Sequence, residues 1–436
     1  VSKTIFALID CNNFFVSSER IFRPDLEGKP VVVLSSNDGC VVARSNEAKQ
    51  IGVPMGAPVF KLRELFKQYG VIQFSANFEL YGNISRRITD VLTRVTPRIE
   101  VYSVDESFLD LSELHITDYN EWGKQVRDRI LREVGVPVSI GIATSKTLAK
   151  LGADLAKKRE SSKGVLSFIN MPSEDKEALL SAVPLKDIWG VGWRLAPKLR
   201  AEGLGNALTL SRLRPQRAQQ LMGIRGRQLV SELGGTSCFE LEREKSIRQS
   251  LSRTRMFGED TSEFHVLESA IASLTAQAAG RLRGENLLAR KAAFFVTTNR
   301  NKPGYRRWAE EIHFDTPTND TGLLISKLLE AFQPLYDRGQ RYHRAGVLLY
   351  DFVPASHLQT DLLGFVQTDR HDRSMSRMKA IDTINKRYGK NRVHYAAEDL
   401  SHSWEPKRQL RSPRYVSDWN ELPEAKLGTL TKRTAI

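Results

Sequence analysis

Residues 102–111 read YSVDESFLDL. Val101, Tyr102, Val104, Phe108 and Leu109 favour extended chain, yet Asp105 and Glu106 stand side by side in the middle. Successive strand side chains point to opposite faces, so a continuous strand would bury one carboxylate whenever it exposed the other. A hairpin removes the conflict. Strands over 98–104 and 107–111 with an Asp-Glu tip let both acids lean the same way. Asp10 ends an earlier apolar stretch, TIFALID (4–10), where a neighbouring strand brings its carboxylate alongside. Three converging acids repel unless a cation sits among them. Oxygen-only ligation, without His or Cys, suits Mg²⁺. Two such ions would activate an attacking hydroxyl and stabilise a leaving phosphate. An Asp-Glu pair at an exposed turn is common by itself, so the metal reading rests on its company.

That company begins directly after Asp10, in CNNFFVSSE. Phe14 and Phe15 are placed to lie against a bound sugar, with core packing as the plainer alternative. Arg44, Lys49 and Lys157 each follow small or polar residues and are candidates for a phosphate clamp. Lys157 closes the helix 145–158, where a cation also offsets the C-terminal dipole. Ser145 and Lys146 could form a Ser-Lys pair, but N-capping by Thr144 or Ser145 is the simpler reading.

The surrounding text alternates strand and helix. Strands are expected at 4–10, 28–36 and 137–143, and helices at 46–53, 78–95, 119–134 and 145–158. From 173 to 235 short helices and glycine turns take over. Residues 249–353 repeat a β-α-β-β-α-β pattern: strands near 249–257, 291–299, 305–314 and 343–352, helices at 266–284 and 320–337. A polar tail with one helix, about 372–388, follows Pro354.

The 436 residues suggest about three domains. A hydrophobic content of 41% supports folded cores, and 65 Lys+Arg against 51 Asp+Glu give a net charge of +14. That balance favours a polyanionic partner, nucleic acid before a membrane surface. No apolar run approaches the roughly 18 residues of a membrane span. The first residues carry no signal-peptide pattern. Cys11, Cys40 and Cys238 form no CxxC pair and are odd in number, which points to a reducing cytoplasm.

Two further stretches suit DNA. IWGVGWRLAPKLRAEGL (188–204) has the form of a helix-hairpin-helix. Gly190 and Gly192 allow the tight turn whose N–H groups bind a phosphate without reading sequence. LMGIRGRQLV (221–230) repeats the theme more weakly. Over 243–307 Lys and Arg outnumber Asp and Glu. Arg253 and Arg255 alternate onto one strand face, and Arg300 and Lys302 flank the turn at Pro303-Gly304. A basic sheet face backed by helices would track a phosphate backbone.

Together, ALIDCNNFFVSSE, GKPVVVLSSNDGCVVARSNEAKQIGVPMG, YSVDESFLDL and SIGIATSKTLAKLGADLAKK resemble the Y-family, lesion-bypass DNA polymerases over essentially the whole chain. SNDGCVVARSNEAK and the tail MKAIDTINKRYGK…SPRYVSDWNELP are similar to the UmuC-type, polymerase V branch of that family. The resemblance implies an α+β multidomain right hand. The palm is expected at 1–10 and 76–166, fingers at 11–75, thumb at 167–238 and a linker at 239–244. A βαββαβ little finger follows at 245–353 and a C-terminal tail at 354–436. It implies that Asp10, Asp105 and Glu106, with the Cys11 carbonyl, hold two Mg²⁺. It puts Phe15 at the steric gate against a ribose 2′-OH, and Lys49 and Lys157 at triphosphate-binding positions. Asn46 and Lys49 depart from the Tyr and Arg that many relatives carry there. QTDLLG (359–364) resembles a sliding-clamp peptide, with Gln359 as polar anchor and Leu362 and Leu363 filling an apolar pocket. The implied partners are primer-template DNA, dNTP, the clamp, a cleaved accessory dimer of the UmuD type and a RecA-type recombinase filament. The implied setting is error-prone translesion synthesis in the SOS response. Two alternatives stand beside it. A palm-type nucleotidyl cyclase would not need the helix-hairpin-helix or the basic second module. A non-enzymatic DNA-binding scaffold would have no reason to keep three mutually repelling acids.

Overall fold

The computed structural model describes residues 4–242, 248–357, 368–389, 391–398 and 404–423. In chain order the elements are β1 (Phe6–Cys11), α1 (Phe14–Phe22), β2 (Val31–Leu34), β3 (Val41–Arg44), α2 (Asn46–Gln50), α3 (Arg63–Tyr69), β4 (Ile72–Ser75) and α4 (Phe78–Thr93). Then come β5 (Ile99–Val101), β6 (Glu106–Asp110), α5 (Tyr119–Val134), β7 (Val138–Ala143), α6 (Lys146–Lys158) and β8 (Val165–Ser167). α7 (Ser173–Ser181), α8 (Leu195–Ala201), α9 (Ala207–Ser211) and α10 (Pro215–Gly234) follow. The rest is β9 (Ser250–Thr261), α11 (Phe264–Gly284), β10 (Leu287–Thr298), β11 (Arg307–Thr318), α12 (Thr321–Phe332), β12 (Tyr342–Pro354) and α13 (Thr368–Tyr388). The chain divides into two compact units. Described residues up to 35, from 39 to 242 and from 410 to 423 form the first; 36–38 and 248–409 form the second.

The first unit is built on a five-stranded sheet in the order β5-β6-β1-β7-β8. β1 is buried on both faces, and its alternation sorts the two cores. Ala7 and Ile9 pack with Leu80, Ile84 and Ile88 of α4 and with Val126 and Ile130 of α5. Phe6 and Leu8 pack with Leu148, Leu151 and Leu155 of α6. α6 lies unusually close to β7. A Cβ on Gly141 would meet the Ala149 carbonyl oxygen at 2.0 Å, so only glycine fits under the helix there. A smaller sheet, β3-β2-β4, carries α2 and α3 around Val32, Leu34, Val41, Ala48 and Phe66. The helices α7 to α10 pack onto the α6 side through Leu180, Leu199, Leu210 and Leu233.

The stretch expected as a linker, 239–244, is held by hydrogen bonds where it is described. Fully buried Glu232 accepts from the N–H groups of Thr147 (2.9 Å), Cys238 (2.6 Å) and Phe239 (3.1 Å). Glu242 N–H donates to Glu100 at 2.8 Å, and the Lys146 ammonium bridges Glu100 (2.7 Å) and the Glu240 carbonyl (3.2 Å). The Glu240 and Glu242 side chains are exposed; it is backbone groups of the stretch that meet the buried Glu232, Glu100 and Lys146. Ser145 caps α6 by accepting from Leu148 N–H, so the Ser-Lys alternative falls to the capping role.

The second unit is a four-stranded antiparallel sheet, β11-β10-β12-β9, with α11 and α12 on one face. α13 is held by a two-pronged Arg283–Asp382 pair and by Arg377 to Asp320 at 2.5 Å. Residues 410–415 dock instead on the first unit. Gln359, Leu362 and Leu363 lie outside the described residues.

Candidate active site

β1 and β6 run antiparallel with Asp10 opposite Glu106. Directly opposed side chains share a face of a sheet, so both carboxylates emerge on the side covered by α6. The hairpin exists, but its tip is 102–105, and Glu106 is already the first residue of β6. Ser103 moves the tip. Its hydroxyl accepts from the N–H groups of Asp105 (3.2 Å) and Glu106 (3.0 Å) and donates to the Asp105 carboxylate at 2.5 Å. Cys11 N–H donates to the Asp105 carbonyl at 2.9 Å, which fixes the tip against the end of β1. The Cys11 thiol is buried and pushed well up by that burial.

Two lysines of α6, seven residues apart and therefore on one helix face, meet the carboxylates. Lys157 pairs with Asp10 and Lys150 pairs with Glu106. Burial pushes the Asp10 carboxyl up to about 6; Lys157 opposes the shift, and Glu106 and Asp105 add to it. Lys49, on α2, donates to Asn13 at 2.6 Å and Asn46 at 3.2 Å. Its ammonium is held below the usual range by burial and by repulsion from Arg44 and Lys157, with Asp10 opposing. The structure therefore brings Arg44, Lys49, Lys157 and Asp10 into one electrostatic neighbourhood. Arg44 also donates to the Val53 carbonyl.

The two phenylalanines part company. Phe14 is 3% exposed inside the core, so it has no free face for a sugar. Phe15 is partly exposed at the start of α1, stacked on Tyr81 (4.5 Å between centroids, 13° between planes) and edge-on to Phe78.

Among the described residues, no group of three or more His, Cys, Asp or Glu side chains is gathered closely enough to hold an ion. In this arrangement ammonium groups are the cations on Asp10 and Glu106, and Ser103 holds Asp105. The donor chemistry fits a hard divalent ion: carboxylate oxygens, no thiolate and no imidazole.

Gly190 sits at φ 86°, the left-handed turn that glycine alone adopts freely, ahead of α8. The Gly192 carbonyl accepts the first α8 bonds, and Trp193 beside it is 77% exposed with Arg194 over its ring. α10 breaks at Gly223, inside the weaker glycine repeat.

In the second unit Arg253 and Arg255 do share a face, but it is the helix-packed one. They pair across β9 and β12 with core residues Val347 and Ala345. Burial lowers Arg255, which lies among Arg408, Arg253 and Glu405. The open face carries Arg307 and Arg344, both 5.4 Å from the Phe295 ring, and Lys291. Arg300 is exposed at the β10–β11 turn, and Lys302 there pairs with Asp260 at 2.8 Å.

Lys150 and Tyr81 escaped the sequence reading. Lys150 was signalled by its place seven residues before Lys157. Tyr81 carried no signal beyond an apolar helix face.

The model of the impB/mucB/samB family matches residues 9–154, and the model of that family's C-terminal domain matches 248–362. Protein UmuC of Salmonella typhimurium is 38% identical over 427 residues, covering 97% of this chain and 100% of that one. The chain belongs to the impB/mucB/samB family. A more distant relative is DNA polymerase IV 1 of Bacillus subtilis, 26% identical over 408 residues, with 91% of this chain and 93% of that one covered. Among solved structures, a Y-family DNA polymerase chimera of Dbh and Dpo4 superposes with a TM-score of 0.62 at 21% identity, over 80% of this chain and 99% of that one. The fold of this family member is thus the multidomain α+β right hand of the Y-family polymerases. A domain of unknown function matches residues 378–425.

Proposed function

We propose that this chain, a Y-family translesion DNA polymerase, performs its reaction at the Asp10–Glu106 pair, with Asp105 as the third acid. One observation carries the assignment: two opposed carboxylates on adjacent strands face a cluster of cations, with a half-buried aromatic ring at the start of the next helix. Divalent cations on these carboxylates, two Mg²⁺ in this reading, would polarise the primer 3′-hydroxyl and neutralise charge on the leaving pyrophosphate. Lys157, released from Asp10, and Lys49 bind the triphosphate, and Arg44 adds to their field. Phe15 closes the space below the sugar, so a 2′-hydroxyl meets the ring. The Cys11 carbonyl is a further oxygen donor beside Asp10. The glycine turn at Gly190 and Gly192 holds a DNA phosphate through backbone N–H groups. Arg300, Lys302, Arg307 and Arg344 contact the duplex backbone from the second unit.

The UmuC-type partners belong to the same proposal. Gln359, Leu362 and Leu363 dock in the sliding clamp, and a cleaved UmuD-type dimer and a RecA-type filament complete the assembly. No helix among the described residues is long and apolar enough to cross a membrane. The reading puts the chain with DNA in the cytoplasm. Primer extension across an abasic site, with and without clamp, accessory dimer and recombinase filament, tests this. Mg²⁺-dependent bypass by the wild type, absent in Asp105→Ala/Glu106→Ala, is expected. Primer-template binding without any extension under every condition supports a scaffold instead.

A further inference from the structure

Behind Phe15 lies a buried relay that ends in the C-terminal segment. The Tyr81 ring stacked under Phe15 is 1% exposed, and its hydroxyl donates to Glu19 Oε1 at 2.8 Å. Glu19 is fully buried, and the same oxygen accepts from the Ser412 hydroxyl at 3.1 Å. Its other oxygen is buried without a hydrogen-bond partner. The orientation of this carboxyl therefore depends on the two hydroxyls at one oxygen, and burial pushes its pKa up. Phe15, Glu19 and Phe22 fall at i, i+4 and i+7 on α1, a single helix face.

The segment carrying Ser412 is strapped across that face. Ser75 N–H donates to the Leu410 carbonyl at 3.0 Å, and Leu410 N–H returns a bond to Ser75 Oγ at 3.0 Å. Asn77, the N-cap of α4, donates to Ser412 Oγ at 3.0 Å. Arg411 reaches Glu79 at 3.1 Å, and Tyr415 stacks on Phe22 at 4.5 Å with 7° between planes. The strap thus contacts α1 and α4, the two helices whose rings meet at Phe15.

We propose that residues 410–415 act as a positioning strap: Ser412, through Glu19 and Tyr81, fixes the Phe15 ring and so sets discrimination between deoxyribose and ribose nucleotides. This gives part of the matched domain of unknown function a role in substrate choice. It rests on the reading of Phe15 as the sugar gate. Ser412 touches no substrate; it acts only through the ring it holds.

Single-nucleotide incorporation by the full chain, with dNTP and the matching rNTP and separate kcat and KM, tests the relay. Ser412→Ala and Tyr81→Phe each lower the dNTP-to-rNTP preference about three- to tenfold, mainly through the rNTP KM. Ser412→Thr retains the wild-type preference. Phe15→Ala lowers it further, and adding Ser412→Ala to Phe15→Ala changes nothing more. Tyr81→Phe keeps the ring, so it still reads the relay if Ser412→Ala fails to fold. Wild-type preference in Tyr81→Phe and in any folded Ser412→Ala, with Phe15→Ala impaired, overturns the strap and leaves the gate standing. Losses that add fully in the double variant also overturn it. Unchanged preference in Phe15→Ala removes the gate itself.

Discussion

Asp10 and Glu106 stand opposite each other across β1 and β6, and each holds a lysine of α6, Lys157 and Lys150 respectively. The ammonium groups neutralise a buried and a half-buried acid that would otherwise repel. On the proposed reading these are also the carboxylates that a divalent ion would take, so ion binding would be an exchange of cations rather than the filling of a prepared cluster.

Lys150→Met removes one competitor. The Mn²⁺ concentration for half-saturation, read by electron paramagnetic resonance without DNA, falls severalfold. Lys157→Met is expected also to weaken dNTP binding, seen as a raised KM, because the proposed reading gives this side chain a second task at the triphosphate.

Acid has a defined effect. Asp10 in the metal-free protein titrates at about 6 against an ordinary 3.8. Because the folded value is raised, its contribution to metal-free stability is present below about 3.8 and is lost as pH rises through about 6. Metal binding runs the other way, since a ligand must first lose its proton. Mn²⁺ affinity drops between pH about 7.5 and about 5.5, and Asp10→Asn abolishes that pH dependence.

Much of this was legible in the sequence, and the failures have physical reasons. The hairpin followed from two acids interrupting a strand pattern. Its tip moved because a single hydroxyl, Ser103, collects both following N–H groups. Arg253 and Arg255 share a face as alternation requires. The same alternation includes Leu251 and Phe257, which are buried, and should have assigned that face to the core. Phe14 and Phe15 are neighbours about 100° apart on a helix, so one ring had to turn inward. The strap was beyond reach, because Ser412 and Glu19 are 393 residues apart and nothing local in either announces the other.

The face assignment predicts DNA behaviour. Arg344→Ala weakens primer-template binding across sequences and reduces the salt slope by about 0.9 for each phosphate it no longer neutralises. Arg255→Ala leaves that slope unchanged. Fluorescence anisotropy over a salt series measures both.

Glu232 predicts a stability effect remote from chemistry. Removing its carboxylate strands the N–H groups of Thr147, Cys238 and Phe239. Glu232→Ala costs about 2–4 kcal/mol, visible as an earlier first transition in urea.

The central claim is that Asp10, Asp105 and Glu106 bind the ions that drive nucleotide transfer. Rapid-quench incorporation of one dNTP by wild type and by Asp10→Asn, Asp105→Asn and Glu106→Gln tests it most directly. Each substitution is expected to leave primer-template binding intact and to abolish the chemical step. Incorporation at the wild-type rate by any of the three would contradict the account.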